Sequence, residues 1–468
     1  MEMNLNKKVL RYFSFLIFFV AFFLNYKNYE GSITLFLIFQ ISSFALFLIV
    51  IKKNISAFEF FTYIFFLISF WFRFNCILFF DNIKVIEGDF DLKISNYDDS
   101  TFIIIVTFIS CICASIIRQN INRKLKQINR LEINNVFERF YKCYRFYILF
   151  IYIGSFIVIY LTNQYYEIYF KGLVNENIPA VINYIYSYLF VYGLAVITSI
   201  LIYIDYSIYK NKSYFLFGLF ESFFTQLNIL SRSFILSFLV YLRGFLLLID
   251  INKLKYSNFS LLKVASLILI IFYISIYSVT ELRSIKYYDN NKNQTPVAAT
   301  QTLPAILSLA TQRWVGIDAL LTVSQSKKLS YNFFATSWLE KVEIEKKSFY
   351  VENFYTKFEY HDFAKKNVNR VITPGIVAFL YYTGSPIFVF FGILILILIC
   401  SYIERLFYRL SSGNIILANI IGYALTVRFI HYGYVPANTL NFFISFFVTL
   451  IFVFVITKLV SKKTLYKN

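Results

Sequence analysis

The sequence predicts an all-α polytopic membrane protein with about twelve transmembrane helices and a large helical loop region on the non-cytoplasmic side. Three observations predict it. Of 468 residues, 59% are apolar and the mean hydropathy is +0.63, more apolar surface than a soluble domain of this size can hide. Stretches such as 58–80, 181–204 and 442–457 are nearly free of charge, and each approaches or exceeds the ~20 residues a helix needs to cross a ~30 Å hydrocarbon layer. The ~10-residue alternating segments of a membrane β-barrel are missing. Helix is then the state that satisfies the backbone within lipid.

The apolar segments run at 12–24, 33–51, 58–80, 101–117, 146–161, 181–204, 214–230, 234–250, 264–280, 385–403, 415–430 and 439–459. Lys7, Lys8 and Arg11 precede the first in the manner of a signal peptide, but no small-x-small cleavage site follows. The polar run Asn25, Tyr26, Lys27, Asn28 stands there instead, so the segment reads as an uncleaved span. Alternate loops differ sharply in charge. One set, with both termini and the basic stretch 118–145, holds 24 Lys and Arg residues; the short loops of the other set hold five, namely Lys27, Lys84, Lys93, Lys171 and Arg232. The positive-inside rule makes the first set cytoplasmic. The acidic loop 81–100 then falls outside, as does the mostly polar block 281–372. The chain divides into 1–280 with nine spans, an outer region 281–384, and 385–468 with three spans. Within 118–145, Arg123, Lys126 and Arg130 recur at helical spacing, as in an amphipathic helix at the cytoplasmic surface. Within the outer block, residues 302–323 have helical apolar spacing. Pro374-Gly375 opens an apolar stretch to Tyr382 that is too short to span and reads as a re-entrant or interfacial helix.

A net charge of +19 invites a nucleic-acid reading, but the charge sits at helix ends, where topology places it. Cys76, Cys111, Cys113, Cys143 and Cys400 lie in or beside spans or on the cytoplasmic side, so neither a disulfide framework nor a zinc site is expected.

The chemistry concentrates in arginines at or near the outer face: Arg232 in the turn Ser231-Arg232-Ser233, Arg283 just after a span, Arg313, Arg370 and Arg428. A guanidinium at the edge of lipid usually serves a partner and pairs bidentately with phosphate oxygens. The plain alternative is a local ion pair, such as Arg313 with Asp318 or Arg283 with Glu281. Arg73 reads as a bundle contact; Arg243, within a span, has no assigned role. His361 and His431, the two histidines of the chain, are candidate bases for a transfer reaction, with Glu281, Asp318, Glu359 and Asp362 as carboxylate alternatives. Asp89 and Asp91 form an Asp-x-Asp pair of the kind that holds a divalent cation in metal-dependent transferases, but a bare pair in an acidic loop is a weak signal and a solvated loop explains it better. Tyr and Phe crowd the outer face, in the manner of interfacial belts, with some available for sugar stacking. Nucleotide-binding glycine loops, zinc-protease motifs and nucleophile elbows do not occur.

Twelve spans, Ser231-Arg232-Ser233, Arg283, Arg313-Trp314-Val315-Gly316-Ile317-Asp318-Ala319-Leu320, and Thr373-Pro374-Gly375-Ile376 leading to Tyr382-Thr383-Gly384-Ser385 together resemble the Wzy-type oligosaccharide repeat-unit (O-antigen) polymerases. The resemblance covers the architecture and mainly the chain after residue 220. Arg232 to Gly244 is one residue longer than a spacing often quoted in that family. The resemblance implies a metal-independent glycosyltransferase of a GT-C-like superfamily shared with O-antigen ligases, with no cofactor. It implies a bacterial inner-membrane location with a periplasmic active face. The substrate would be an oligosaccharide linked to undecaprenyl pyrophosphate, with a chain-length regulator as a further partner and no nucleic acid. Arg232, Arg283, Arg313, Arg370 and Arg428 would hold pyrophosphate, and His431 or His361 would be the base. An O-antigen ligase and a lipid-linked oligosaccharide flippase are the competing readings.

Overall fold

The computed structural model describes residues 2–52, 55–80, 85, 88–92, 96–123, 132–171, 177–210, 215–231, 233–248, 258–287, 314–341, 347–355 and 372–461. Helices occupy every predicted span. They are α1 (Glu2–Asn25), α2 (Ile33–Val50), α3 (Ala57–Phe79), α4 (Asp98–Arg123), α5 (Asn135–Tyr166), α6 (Ala180–Tyr209), α7 (Phe215–Asn228), α8 (Phe234–Leu248) and α9 (Asn258–Tyr287), then, after the outer block, α14 (Pro386–Leu410), α15 (Ile415–Ile430) and α16 (Thr439–Val460). Among the described residues seven helical segments are long and apolar enough to cross a membrane: α2 to α6, α14, and Pro436–Val460, which contains α16. The protein is an all-α, membrane-embedded chain.

Helix starts follow from capping chemistry. Ser56, Asn134, Ser385 and Asn414 each accept a hydrogen bond from a backbone N–H two or three residues on, satisfying donors that the first turn leaves open. α4 and α5 outrun their predicted spans because hydropathy does not register their polar turns. α5 begins with the Asn134 cap and a Glu138–Lys142 ion pair of 2.6 Å one turn apart. Lys126 and Arg130 lie outside the described residues, so the surface helix expected there has no structural counterpart to weigh. In α3 and α6 the backbone widens to π-helix, at Leu67–Phe72 and Leu189–Gly193.

Lipid offers little hydrophobic drive for helices to associate, so close packing and polar contacts hold the bundle. α15 lies at its centre, against α3, α8 and α14. Gly422 lets α15 meet the start of α3 so closely that a Cβ there would stand 2.6 Å from the Phe58 backbone nitrogen.

Contacts between helix ends fall into two sets, at opposite ends of the bundle. At the first, Glu404 of α14 accepts from the backbone N–H groups of Ala57 and Phe58 (2.9 and 2.8 Å). Arg118 pairs with Glu59 at 2.6 Å, and Arg145 with Asp205 at 2.9 Å. Arg243 donates to the Asn419 side chain and to the Ile55 carbonyl (3.0 Å), and stacks on Phe60. At the second end, the outer block contributes α10 (Ile317–Ser324), α11 (Tyr331–Ser337), α12 (Phe349–Phe354) and α13 (Gly375–Leu380). Its anchor is a fully buried bidentate pair, Arg73 of α3 with Asp318 of α10 at 3.0 and 3.3 Å. The Asp89–Asp91 loop docks through backbone contacts, Asp89 N–H to the Phe354 carbonyl (3.3 Å) and Gln325 Nε2 to the Asp91 carbonyl (2.9 Å).

Two expectations need correction. The helical pattern over 302–323 does not continue unbroken: Trp314–Gly316 is non-helical, and α10 starts only at Ile317. Gly316 has φ +152°, a backbone state that only glycine enters without strain, so the chain turns there. Asp318 pairs with Arg73, 245 residues away, because a buried carboxylate needs a partner in the core. The short helix after Pro374 is present as α13, with its residues Gly375–Phe379 buried.

Candidate functional site

Of the predicted site residues, Arg283, Arg428 and His431 are described; Arg232, Arg313, Arg370 and His361 lie outside the described residues, as do Glu359 and Asp362. The peptide segments next to two of those missing arginines are in place, and they meet at one point.

His431 is the first residue after α15. The following turn is tight: Gly433 has φ +104°, and a Cβ on it would stand 2.5 Å from Pro374 Cγ. Gly375 N–H donates to the Tyr432 carbonyl at 3.0 Å. Val315 closes on the same spot, its Cγ1 3.2 Å from where a Gly375 Cβ would lie. Residues 314–318, 373–376 and 431–433 are distant in sequence and adjacent in space. Glu340 braces the arrangement by accepting from the N–H groups of Phe349 and Val435, both at 2.7 Å. Burial pushes its carboxyl above the usual range, against the lowering effect of those two donors.

Arg428 lies one turn before His431. It donates to Thr439 Oγ1 at 2.9 Å and sits 5.9 Å from the Phe442 ring, while its buried Nε has no hydrogen-bond partner among the described residues.

Lys171 completes the group and was not singled out by sequence reasoning, which counted it only as an outer-loop charge. Its segment is fixed locally. Lys171 N–H donates to the Ile229 carbonyl at 3.2 Å, and Asn163 Oδ1 accepts from Tyr169 N–H at 2.8 Å. Lys286, one turn from Arg283 on α9, pairs with Glu167 and lies 5.5 Å from the Phe170 ring. These contacts carry Lys171 to Arg283. Desolvation, and then the charge of Arg283, push the Lys171 amine below its usual range. Desolvation, and then the charge of Lys171, push His431 down to about 3. Both residues keep exposed surface.

The site therefore presents cations beside cations, an imidazole held neutral, and a guanidinium with an unused N–H. Such a group is suited to a polyanion: two charges of one sign repel at close range, and phosphate oxygens convert that repulsion into attraction. Among the described residues no cluster of three or more His, Cys, Asp or Glu side chains has metal-binding geometry.

The chain matches no protein-family model, no curated protein and no solved structure. Its chemistry has to be read from its own residues.

Proposed function

We propose that the protein polymerises lipid-linked oligosaccharide repeat units, moving a glycan from undecaprenyl pyrophosphate to the nonreducing end of a new undecaprenyl-pyrophosphate-linked unit, at the periplasmic face of a bacterial inner membrane. Twelve spans and a periplasmic outer block belong to this proposal. The observation that carries it is the Lys171–Arg283–His431 group, with Arg428 one turn away, at the end of the bundle where the outer block packs.

The reaction breaks a sugar–phosphate C–O bond, so negative charge grows on the leaving pyrophosphate. Preplaced cations in a site of low dielectric stabilise that charge, an effect for which loss of one donor costs ~10²–10³ in rate. The acceptor hydroxyl must lose its proton as the new bond forms, and a neutral imidazole can take it. His431 is neutral but weakly basic without ligand. A bound diphosphate raises its basicity, because a nearby anion favours the charged imidazolium. Substrate binding thus equips the base for its step.

Deletion of the gene tests the reading. A polymerase loss leaves surface glycan of core plus one repeat unit on a gel, whereas loss of a ligase or flippase leaves bare core. Arg283→Ala and Arg313→Ala are expected to reproduce the one-unit pattern at normal protein level; wild-type ladders from both reject the site.

A further inference from the structure

Glu221 stands in the middle of α7, 3% exposed, and takes no part in the site above. Among the described residues its two carboxyl oxygens meet only hydroxyls: Thr225 Oγ1 at 2.9 Å and Tyr241 Oη of α8 at 2.9 Å. The titratable groups turned toward it from the neighbouring helices are Tyr152 of α5, Tyr192 of α6, Tyr241 of α8 and Tyr423 of α15. No ion pair to Glu221 forms among the described residues. An ionised carboxylate buried without a cation is far costlier than the acid.

Hydrogen-bond accounting points the same way. The Tyr241 hydroxyl also reaches the Ala195 carbonyl of α6 at 3.3 Å. One phenolic proton cannot serve both oxygens well. With a proton on Glu221, the carboxyl donates to Tyr241 Oη, and Tyr241 donates to Ala195. With Glu221 ionised, Tyr241 must turn its proton to the carboxylate and release Ala195, two residues beyond the π-helical turn Leu189–Gly193, a backbone feature common at functional sites.

A chain of polar groups also leads away from Glu221. Glu221 lines a cavity of about 30 Å³ together with Thr225, Gln226, Ser237 and Tyr423, above the ~10–15 Å³ that one water needs. From there polar groups continue to the end of the bundle: Gln226 Nε2 to Ser237 Oγ at 3.0 Å, Ser233 Oγ to Gln226 Oε1 at 2.6 Å, and Ser231 to Ser233 at 2.8 Å. Ser231 and Ser233 flank the turn that joins α7 to α8.

We propose that Glu221 is a proton-binding site inside the membrane domain, loaded from the outer-block end through the passage walled by Ser231, Ser233, Gln226 and Ser237. The proton arrives on water and passes to a carboxylate oxygen, leaving water behind; the Tyr241 hydroxyl then swings to Ala195, so occupancy is felt by α6. The inference does not rest on the glycan-transfer reading.

Infrared spectroscopy of the full chain in lipid bilayers tests it. Wild type is expected to show a carboxylic-acid C=O band at neutral pH that Glu221→Gln removes, and the band is expected to shift in D2O as the acid proton exchanges. Gln226→Leu, which fills the passage with an apolar side chain, is expected to leave the band in place and slow its shift about tenfold or more, exchange then requiring local opening. Ser237→Ala is expected to slow it less. A spectrum unchanged by Glu221→Gln overturns the proton site. A band whose exchange neither Gln226→Leu nor Ser237→Ala slows overturns the passage.

Discussion

Two groups of charged side chains, one at each end of the helix bundle, differ in what faces them. At the first end, Glu59 holds Arg118, Asp205 holds Arg145, and Glu404 caps the start of α3. Each of these carboxylates has a protein counterpart, and together they join helices among α3, α4, α5, α6 and α14. At the second end, Arg73 and Asp318 obey the same rule, but Lys171, Arg283 and His431 are grouped so that positive charge depresses positive charge. On the proposed reading a ligand's anionic charge offsets the repulsion within that group, so the first pattern serves architecture and the second serves binding.

That contrast can be broken by substitution. Asp318→Ala leaves Arg73 charged and buried without its carboxylate, and is expected to destabilise by ~3–5 kcal/mol, seen as a lowered midpoint of thermal unfolding. Replacing Arg73 and Asp318 together by Met and Leu is expected to recover most of the loss. Lys171→Ala is expected to lower glycan transfer by ~10²-fold while leaving the unfolding midpoint unchanged or raised, because a like charge beside Arg283 is gone. A fall in midpoint as large as that of Asp318→Ala erases the distinction between the two ends. Gly433→Ala adds a Cβ against Pro374 in a left-handed backbone state, for ~1–3 kcal/mol of strain. Transfer is expected to fall in that variant with the anion affinity of the site largely kept.

A further effect concerns pH. His431 has its folded pKa at about 3, below the ~6.5 of an unfolded histidine. Between those values the unfolded chain binds more protons, so stability contributed by this residue is present above about pH 6.5 and is lost as pH falls toward 3. His431→Asn is expected to flatten the decline in unfolding midpoint between pH 7 and pH 4. A decline as steep as in wild type shows that His431 is not desolvated.

The sequence made the helices legible because lipid reduces the choice of backbone structure to one, and length then marks each segment. It also marked Arg283, Arg428 and His431, whose residue types are unusual near hydrocarbon. Lys171 escaped notice because a lysine in a short loop has the same local pattern whether or not another cation stands near it; the contacts of Glu167 and Phe170 with Lys286, more than a hundred residues on, bring its segment to α9. The partner of Asp318 escaped for a similar reason, since the nearby Arg313 was the local choice and Arg73 the one that packing supplied. Glu221 is one carboxyl in an apolar run, and only the placement of Tyr241, Gln226 and Ser237 gives it a context.

The π-helical turn at Leu67–Phe72 ends immediately before Arg73. A π-turn spreads one extra residue over nearly the rotation that regular helix makes without it, so deleting one residue there would tighten the turn and leave Arg73 close to its present direction. A deletion from the regular part of α3 before it differs, because an α-helix advances ~100° per residue. Hydropathy along α3 would barely change, and a length criterion would still pass it. Yet the guanidinium of Arg73 would swing off Asp318, and the outer block would lose its mooring. A single missing codon in α3 is therefore best tolerated at the π-turn and most harmful in the regular helix ahead of it.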